Sequence, residues 1–225
     1  GLTIGWSRDD RDNLLVPTRG RYQRAFAEIG LPVLDLQYYR LNYQYQQFFQ
    51  IFPRVTLAFN GELGYGDGYS GDAFPFFKNY YVGGIGSVRG FETGSLGPRD
   101  IDDSALGGNR RLNLSVEAYV PIPGADRTLR ALTFVDAGQV WGLAPRRDAA
   151  GNPILVPFTD RFGQTLLRPV YDEERIDLGN LRYSIGIGIA WVSPLGPLKL
   201  SYAYPLNREQ GDRVQRFQFQ IGTGF

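Results

Sequence analysis

Alternation of apolar and polar residues with a period of two is the feature that most restricts how this chain can fold. It runs in segments of about ten residues separated by turn-forming residues, which is typical of half-buried β-strands. The alternation is clear over residues 39–51, 54–65, 183–191 and 217–225. Weaker strands are predicted near residues 2–9, 19–30, 110–121, 129–141 and 197–206. The pattern predicts an all-β fold of about nine antiparallel strands, with no convincing helix.

The connections between these segments are unequal in length. Two are tight: residues 50–54, and Ser193-Pro194-Leu195-Gly196, where proline presets φ and glycine accepts a positive φ. Residues 66–109 and 143–180 are long, rich in Gly, Pro and Asp, and not strand-like. Short turns at one end and long loops at the other are typical of a transmembrane β-barrel, whose long loops are extracellular.

A soluble β-sandwich or a lipocalin-like barrel would show the same alternation. Two features favour a membrane barrel. The polar face is rich in Gln, Asn, Gly and Ser, which suits a hydrated lumen, and aromatic residues near strand ends suit interfacial girdles. Those aromatic residues are Tyr38, Tyr39, Phe48, Phe49, Tyr202 and Tyr204. A transmembrane antiparallel β-barrel is therefore predicted, with Tyr43, Leu57, Ile187 and Phe219 facing lipid.

Composition excludes several classes of function. The chain has no Cys, His or Met, so thiolate metal sites, Cys nucleophiles and the commonest general base are absent. A formal charge of +1 gives no reason to expect nucleic acid as a partner. The longest uncharged run, residues 183–198, contains three glycines and two prolines and is too broken for a spanning helix. We therefore expect no enzyme activity, no cofactor and no metal.

One loop carries a more specific signal. Val88-Arg89-Gly90-Phe91 follows Gly83-Gly84 and precedes Gly97-Pro98. Glycines around a single arginine are consistent with a flexible surface loop. They are equally consistent with a tight backbone path, open to few other residues, that holds Arg89 in a fixed position. The residues alone leave both readings open.

Three ordered motifs carry a resemblance to a known family. They are the Val88–Phe91 segment, residues 191–198 (Trp-Val-Ser-Pro-Leu-Gly-Pro-Leu) with 201–205 (Ser-Tyr-Ala-Tyr-Pro), and residues 217–225 (Phe-Gln-Phe-Gln-Ile-Gly-Thr-Gly-Phe). Together they resemble the barrel of BamA-type outer-membrane protein assembly factors. In that family the first motif lies in a loop that enters the barrel, and the terminal aromatic residue is an assembly signal.

The resemblance implies that residues 1–225 are a single domain, the C-terminal portion of a sixteen-stranded barrel, without the periplasmic domains and the first barrel strands. It implies assembly and insertion of β-barrel proteins in the bacterial outer membrane through a lateral seam at the last strand. Implied partners are outer-membrane lipids, unfolded outer-membrane proteins and periplasmic accessory lipoproteins. The implied seam and C-terminal signal residues are Phe217, Phe219, Ile221, Gly222, Gly224 and Phe225.

Other functions of such a barrel remain open. A two-partner secretion pore shares the arginine loop, a plain channel fits the long loops equally well, and an outer-membrane enzyme would need acids that converge on one rim. An antiparallel sheet with an odd number of strands also has first and last strands that run the same way. Because bacterial barrels have even strand numbers, we expect an unsealed sheet between residues 2–9 and 214–225.

Successive side chains of a β-strand point to opposite faces of the sheet, so the odd or even position of a residue, its parity, assigns its face. Parity predicts which residues bind Arg89 if the loop from 67 to 108 carries it into the lumen. Glu117 shares a face with Asn113, Ser115 and Tyr119, and Asp136 shares a face with Phe134. A charge facing lipid is costly, so both acids are predicted to face the lumen. We expect an Arg89 nitrogen within about 3 Å of a Glu117 or Asp136 oxygen, with the guanidinium either binding both acids or stacking on Phe134 while it holds one. Val88, Arg89, Gly90 and Phe91 would then be locked in the barrel.

Overall fold

The computed structural model describes residues 1–31, 37–71, 73–125, 128–159, 164–193 and 196–222. Its strands are β1 (Leu2–Asp9), β2 (Gly20–Ile29), β3 (Tyr38–Phe52), β4 (Val55–Gly68), β5 (Gly90–Phe91), β6 (Arg110–Pro121), β7 (Leu129–Trp141), β8 (Leu143–Pro145), β9 (Leu155–Thr159), β10 (Thr165–Pro169), β11 (Tyr171–Glu173), β12 (Arg182–Ser193), β13 (Gly196–Pro205), β14 (Val214–Gln215) and β15 (Phe217–Ile221). Within these residues, two short 3-10 helices cover Phe76–Lys78 and Leu178–Asn180. Neither they nor any other helix in the described residues is long and apolar enough to cross a bilayer.

Nine of these strands form one antiparallel sheet in the order β1-β2-β3-β4-β6-β7-β12-β13-β15. Each strand pairs with its neighbour in this series, and the short strands between them lie outside the sheet. The prediction of an all-β antiparallel fold with nine strands is therefore confirmed. No ladder joins β1 to β15 within the described residues, as expected of an unsealed sheet.

The two faces of the sheet differ in composition as the alternation predicted. Ile187 and Phe219 are 64% and 65% exposed and Tyr43 is also exposed, while Leu57 is half-buried between the buried Thr56 and Ala58. The opposite face carries buried polar side chains, including Asn42, Gln46, Asn113, Ser115, Ser184, Ser201 and Gln218. An apolar outer face around a polar interior is the arrangement of a transmembrane barrel wall.

Two of the predicted girdle residues were assigned to the wrong face. Tyr38 and Phe48 are 3% and 6% exposed, because they share the inward parity of Asn42 and Gln46 on β3. The Tyr38 hydroxyl donates to Glu28 Oε1 at 2.6 Å, and Phe48 belongs to an interior apolar cluster. Proximity to a strand end is therefore not enough to place an aromatic residue at the interface, since parity decides the face.

The prediction that residues 143–180 are not strand-like was wrong in part. This segment contains β8 paired with β11 and, beyond them, β9 paired with β10. Short strands with weak alternation are hard to distinguish from a loop, because two or three pairs give no clear periodicity. The long loop 66–109 also begins later than predicted, since β4 continues to Gly68.

Replacement of Ile187 by lysine should destabilise the barrel in a bilayer. Ile187 lies near the middle of β12 on the apolar outer face, where a lysine costs about 2–4 kcal/mol. Gln44→Lys, on the inward face of β3 beside a lumenal cavity, is the matched control and should cost much less. The measurement is the free energy of unfolding in lipid vesicles by urea titration. Equal losses for the two variants would contradict the assignment of the faces.

Candidate functional site

The segment between β4 and β6, residues 69–109, is called the arginine loop here. Its middle part is folded on itself by backbone bridges between Tyr80 and Gly108 and between Val82 and Leu96, and it packs against Val140 of β7. An apolar cluster holds it there: Tyr80, Val82, Val88, Phe91, Leu96 and Val140. Each of these side chains is at most 2% exposed. A loop anchored by its own buried core can position a side chain as firmly as a strand does.

A tight turn presents Arg89 to the barrel wall. The Gly84 N–H donates to the Val88 carbonyl at 3.0 Å, and the Gly83 N–H donates to Ser87 Oγ at 2.7 Å. Gly83 and Gly84 both have positive φ, which residues with a Cβ rarely adopt. The glycines therefore form a tight backbone path, and the flexible-loop reading does not describe this structure.

Arg89 is 2% exposed and binds Asp136 of β7 through three hydrogen bonds. Nε donates to Oδ2 at 2.7 Å, Nη2 donates to Oδ1 at 2.6 Å, and the backbone N–H donates to Oδ2 at 3.0 Å. Nη2 also donates to Ser115 Oγ at 3.0 Å. A forked contact of this kind fixes the plane of the guanidinium as well as its position. Asp136 is fully buried, so the pair is removed from solvent on both sides.

Glu117 of β6 and Phe134 of β7 complete the surroundings of Arg89. Nη1 lies 2.5 Å from Glu117 Oε1, as an ion pair and not a well-aligned hydrogen bond. The guanidinium carbon lies 3.4 Å from the centre of the Phe134 ring, in the geometry of a cation–π contact. Arg89, Ser115, Glu117, Phe134 and Asp136 are called the arginine cluster below.

Burial would by itself lower the pKa of Arg89, since it disfavours the charged form. The hydrogen bond to Asp136 and the charges of Glu117 and Asp136 outweigh it, so the pKa of Arg89 lies above its ordinary value. The guanidinium is therefore charged at physiological pH. A permanently charged group with fixed partners is suited to holding a structure together and not to proton transfer.

The arginine loop also contacts the end of the sheet that carries the last strand. Gly90 and Phe91 form β5, which pairs antiparallel with β14 just before β15. Gln218 of β15 donates from Nε2 to the Phe91 carbonyl at 2.6 Å. The Val88–Phe91 motif therefore touches the barrel wall through Arg89 and the last strand through its backbone.

Several functional neighbours were missed by sequence reasoning. Ser115 was placed on the correct face but not as an Arg89 partner, and Lys199 was not considered although its parity matches Ser201 and Ala203. The Lys199 ammonium lies 2.8 Å from Glu117 Oε1. Tyr119, which also binds Glu117, was placed only by parity. The β5–β14 pairing spans two residues, too few to leave a pattern in the sequence.

The predicted seam residues are partly within the described structure. Phe217, Phe219 and Ile221 face outward on β15 and are at least 60% exposed. Gly222 follows the strand with a φ of +99°. Gly224 and Phe225 lie outside the described residues.

The structure predicts that a side chain at Gly90 strains the backbone and crowds β13. Its φ is +90°, and a Cβ would lie 3.2 Å from the Ala203 Cβ and 3.3 Å from Pro205 Cδ. Gly90→Ala should therefore destabilise the docked loop by about 1–3 kcal/mol. Gly86→Ala is the control, because its φ is not positive and no atom lies within 4 Å of the added Cβ. Protease sensitivity of the loop in vesicles measures the effect, and equal sensitivity of both variants would show that Gly90 is not constrained.

Comparison with known proteins identifies the family of this chain. The Omp85 superfamily domain matches residues 1–225. The chain belongs to the Omp85 superfamily. Among curated members, it is 42% identical over 230 residues to the outer membrane protein assembly factor BamA of Neisseria meningitidis serogroup B, which covers 99% of the chain and 28% of that protein. It is 27% identical over 236 residues to BamA of Nitratidesulfovibrio vulgaris, covering 99% of the chain and 25% of that protein.

Among solved structures, the chain is similar to BamA from Haemophilus ducreyi lacking POTRA domains 1-3. The TM-score is 0.79 at 29% identity, covering 96% of the chain and 41% of that structure. These relatives and the sheet together place this Omp85 chain in the bacterial outer membrane as part of a β-barrel. The chain spans from 25% to 41% of the length of these three proteins.

Proposed function

We propose that this Omp85 chain is the C-terminal portion of the barrel of an outer-membrane protein assembly factor. The intact protein would fold and insert other β-barrel proteins into the outer membrane. The observation that carries the proposal is the 42% identity to a BamA across 99% of the chain. In this proposal residues 1–225 are a single domain, and periplasmic domains and further barrel strands belong to the rest of the protein.

The arginine cluster is proposed to lock the loop inside the barrel. Two acids on adjacent strands bind one guanidinium of the loop, so releasing the loop would leave buried Asp136 without a cation, while Glu117 would keep Lys199. Separating a buried ion pair in this way is costly, of the order of 3–5 kcal/mol. The lock would keep β6 and β7 at a fixed distance from the loop while other strands move.

The proposed route for a substrate is the edge of β15. Its outer face is apolar, and its second edge pairs with no strand among the described residues. An unpaired strand edge is a template for the strand of another chain, because it presents N–H and C=O groups in register. Proposed partners are therefore unfolded outer-membrane proteins, outer-membrane lipids and, for the intact protein, periplasmic accessory lipoproteins.

Depletion of the intact protein in its own cells tests the proposed function. We expect several unrelated β-barrel proteins to decrease together in the outer membrane, measured by quantitative mass spectrometry of the membrane fraction. An empty vector and the wild-type gene, each supplied in trans, are the controls. Loss of one secreted protein with normal levels of other barrels would instead indicate a two-partner secretion pore. Normal levels of every other barrel would indicate a plain channel, and either result would contradict the proposal.

A further inference from the structure

Lys199 connects the last two strands to the arginine cluster. It lies on β13, between Ala190 of β12 and Gln220 of β15 in the sheet register. Its side chain faces the lumen and is 11% exposed, and its Nζ lies 2.8 Å from Glu117 Oε1. Glu117 lies on β6, three strands from β13 in the sheet order, so the contact spans β7 and β12 on the lumenal side of the sheet.

Two cations share one carboxylate oxygen at this point. Glu117 Oε1 lies 2.5 Å from Arg89 Nη1 and 2.8 Å from Lys199 Nζ. Asp136, Arg89, Glu117 and Lys199 thus form a buried row of alternating charge with a net charge of zero. Because Arg89 and Lys199 repel each other, they compete for Glu117 and do not reinforce each other's binding.

The two cations are held very differently. Arg89 keeps three hydrogen bonds to Asp136 in addition to its contact with Glu117. Lys199 contacts the cluster through Glu117. If the last strands tilted away from the lumen, the contact of Lys199 would break, and the full charge of Glu117 would be available to Arg89. The loop would then lose its contacts with Gln218 and β14 but keep those of Arg89 with Asp136, Ser115 and Glu117.

We propose that Lys199 is a positioning residue that ties β13 and β15 to the lumen wall, and that this tie can be released without unlocking the arginine loop. The inference rests on the proposed function, because it concerns how the seam strand moves while the lock stays closed. Other links between the loop and the last strands are the hydrogen bond from Gln218, the pairing with β14 and the exposed ion pairs of Arg213 with Glu92 and Asp103. The Lys199–Glu117 pair adds a buried charged contact, which favours the closed position more than an exposed one does.

These 225 residues contain no cysteine, so each moving part can have its own reporter once any cysteine elsewhere in the intact protein is replaced by serine. Ser201→Cys on β13 and Val88→Cys in the loop replace buried side chains of similar size, at 2% and 0% exposure. The rate at which a water-soluble maleimide labels each thiol, in the intact protein in lipid vesicles without substrate, reports how often that part leaves its buried position.

Lys199→Met should raise labelling of the Ser201→Cys reporter on the order of tenfold, as expected for loss of one buried coupling. Labelling of the Val88→Cys reporter should not rise. Lys199→Arg, which keeps the charge, should label as the wild type does. In a Glu117→Gln background Lys199→Met should have no further effect. Lys78→Met is the matched control, since the chain's other lysine binds Glu28 at 2.5 Å, away from the cluster.

Unchanged labelling of Ser201→Cys in the Lys199→Met variant would overturn the inference, and so would an equal rise at both reporters, which would indicate general loosening. The same variants are also tested for β-barrel assembly in cells. If the reporters do not change but depletion still removes many barrels, the inference fails and the proposed function stands. If the reporters respond as expected but depletion leaves other barrels intact, the tie is real and the proposed function is wrong.

Discussion

Replacement of Arg89 by alanine should release the loop from the barrel and abolish assembly of other barrels by the intact protein. The substitution leaves Asp136 buried without a cation, while Glu117 keeps Lys199. Breaking a buried ion pair by removing one partner costs about 3–5 kcal/mol. Arg89→Lys should fall between the wild type and alanine, because an ammonium keeps the charge but cannot reproduce the forked contact with Asp136. The measurement is the level of folded barrels in cells that depend on the variant.

A second buried arginine provides the control for this prediction. Arg182 at the start of β12 is 3% exposed and binds Asp212 and Glu209, at 2.5 Å and 2.6 Å. Arg182→Ala should lower the free energy of unfolding by a similar amount without touching the arginine cluster. If both variants lose assembly to the same degree, the effect of Arg89 reflects general stability and the lock is not needed to explain it.

Asp136→Asn should release the loop more readily than Glu117→Gln, although both remove one negative charge from the cluster. Asp136 accepts three hydrogen bonds from Arg89, including one from its backbone N–H, whereas Glu117 makes one ion contact with it. An asparagine can present a single acceptor oxygen and turns N–H donors toward the guanidinium. Each hydrogen bond to a charged group is worth about 1.5–3 kcal/mol, so the larger loss is expected at Asp136.

The measurement for this pair is proteolysis of the arginine loop in vesicles, in which the cleavage rate follows the population of released loop. Thr133→Val is a suitable control on β7, because its side chain faces outward, on the opposite face of the sheet from the cluster, and donates to the Gly186 carbonyl. A faster cleavage rate for Glu117→Gln than for Asp136→Asn would show that Glu117 is the main anchor.

Much of the fold could be predicted because the alternation has one dominant cause. Each strand divides a polar lumen from an apolar surround, so parity assigns a face to every residue. The parity of Glu117 and Asp136 placed both acids inside, where the structure has them. Tyr38 and Phe48 were assigned to the outer face from their proximity to a strand end and not from parity, and that assignment was wrong.

Other contacts could not be predicted because they join parts of the chain far apart in sequence. The contacts of Gln218 with Phe91, and of Lys199 with Glu117, span 127 and 82 residues. Parity shows that such groups share the lumen, but not which of them meet, since that depends on strand order and on the path of the loop. The identity of Arg89 as the guanidinium between two acids came from its motif and not from its periodicity.

Hydrogen exchange at the Arg89 backbone amide tests the central claim most directly. In the folded protein this N–H donates to buried Asp136 Oδ2 at 3.0 Å, so it exchanges when the loop leaves the lumen. In the intact protein in lipid vesicles, a peptide covering residues 88–91 should be as protected as one from the middle of β6, and Asp136→Asn should remove that protection. Exchange in the wild type as fast as in the exposed segment 101–104 would show that the loop is not locked in the barrel.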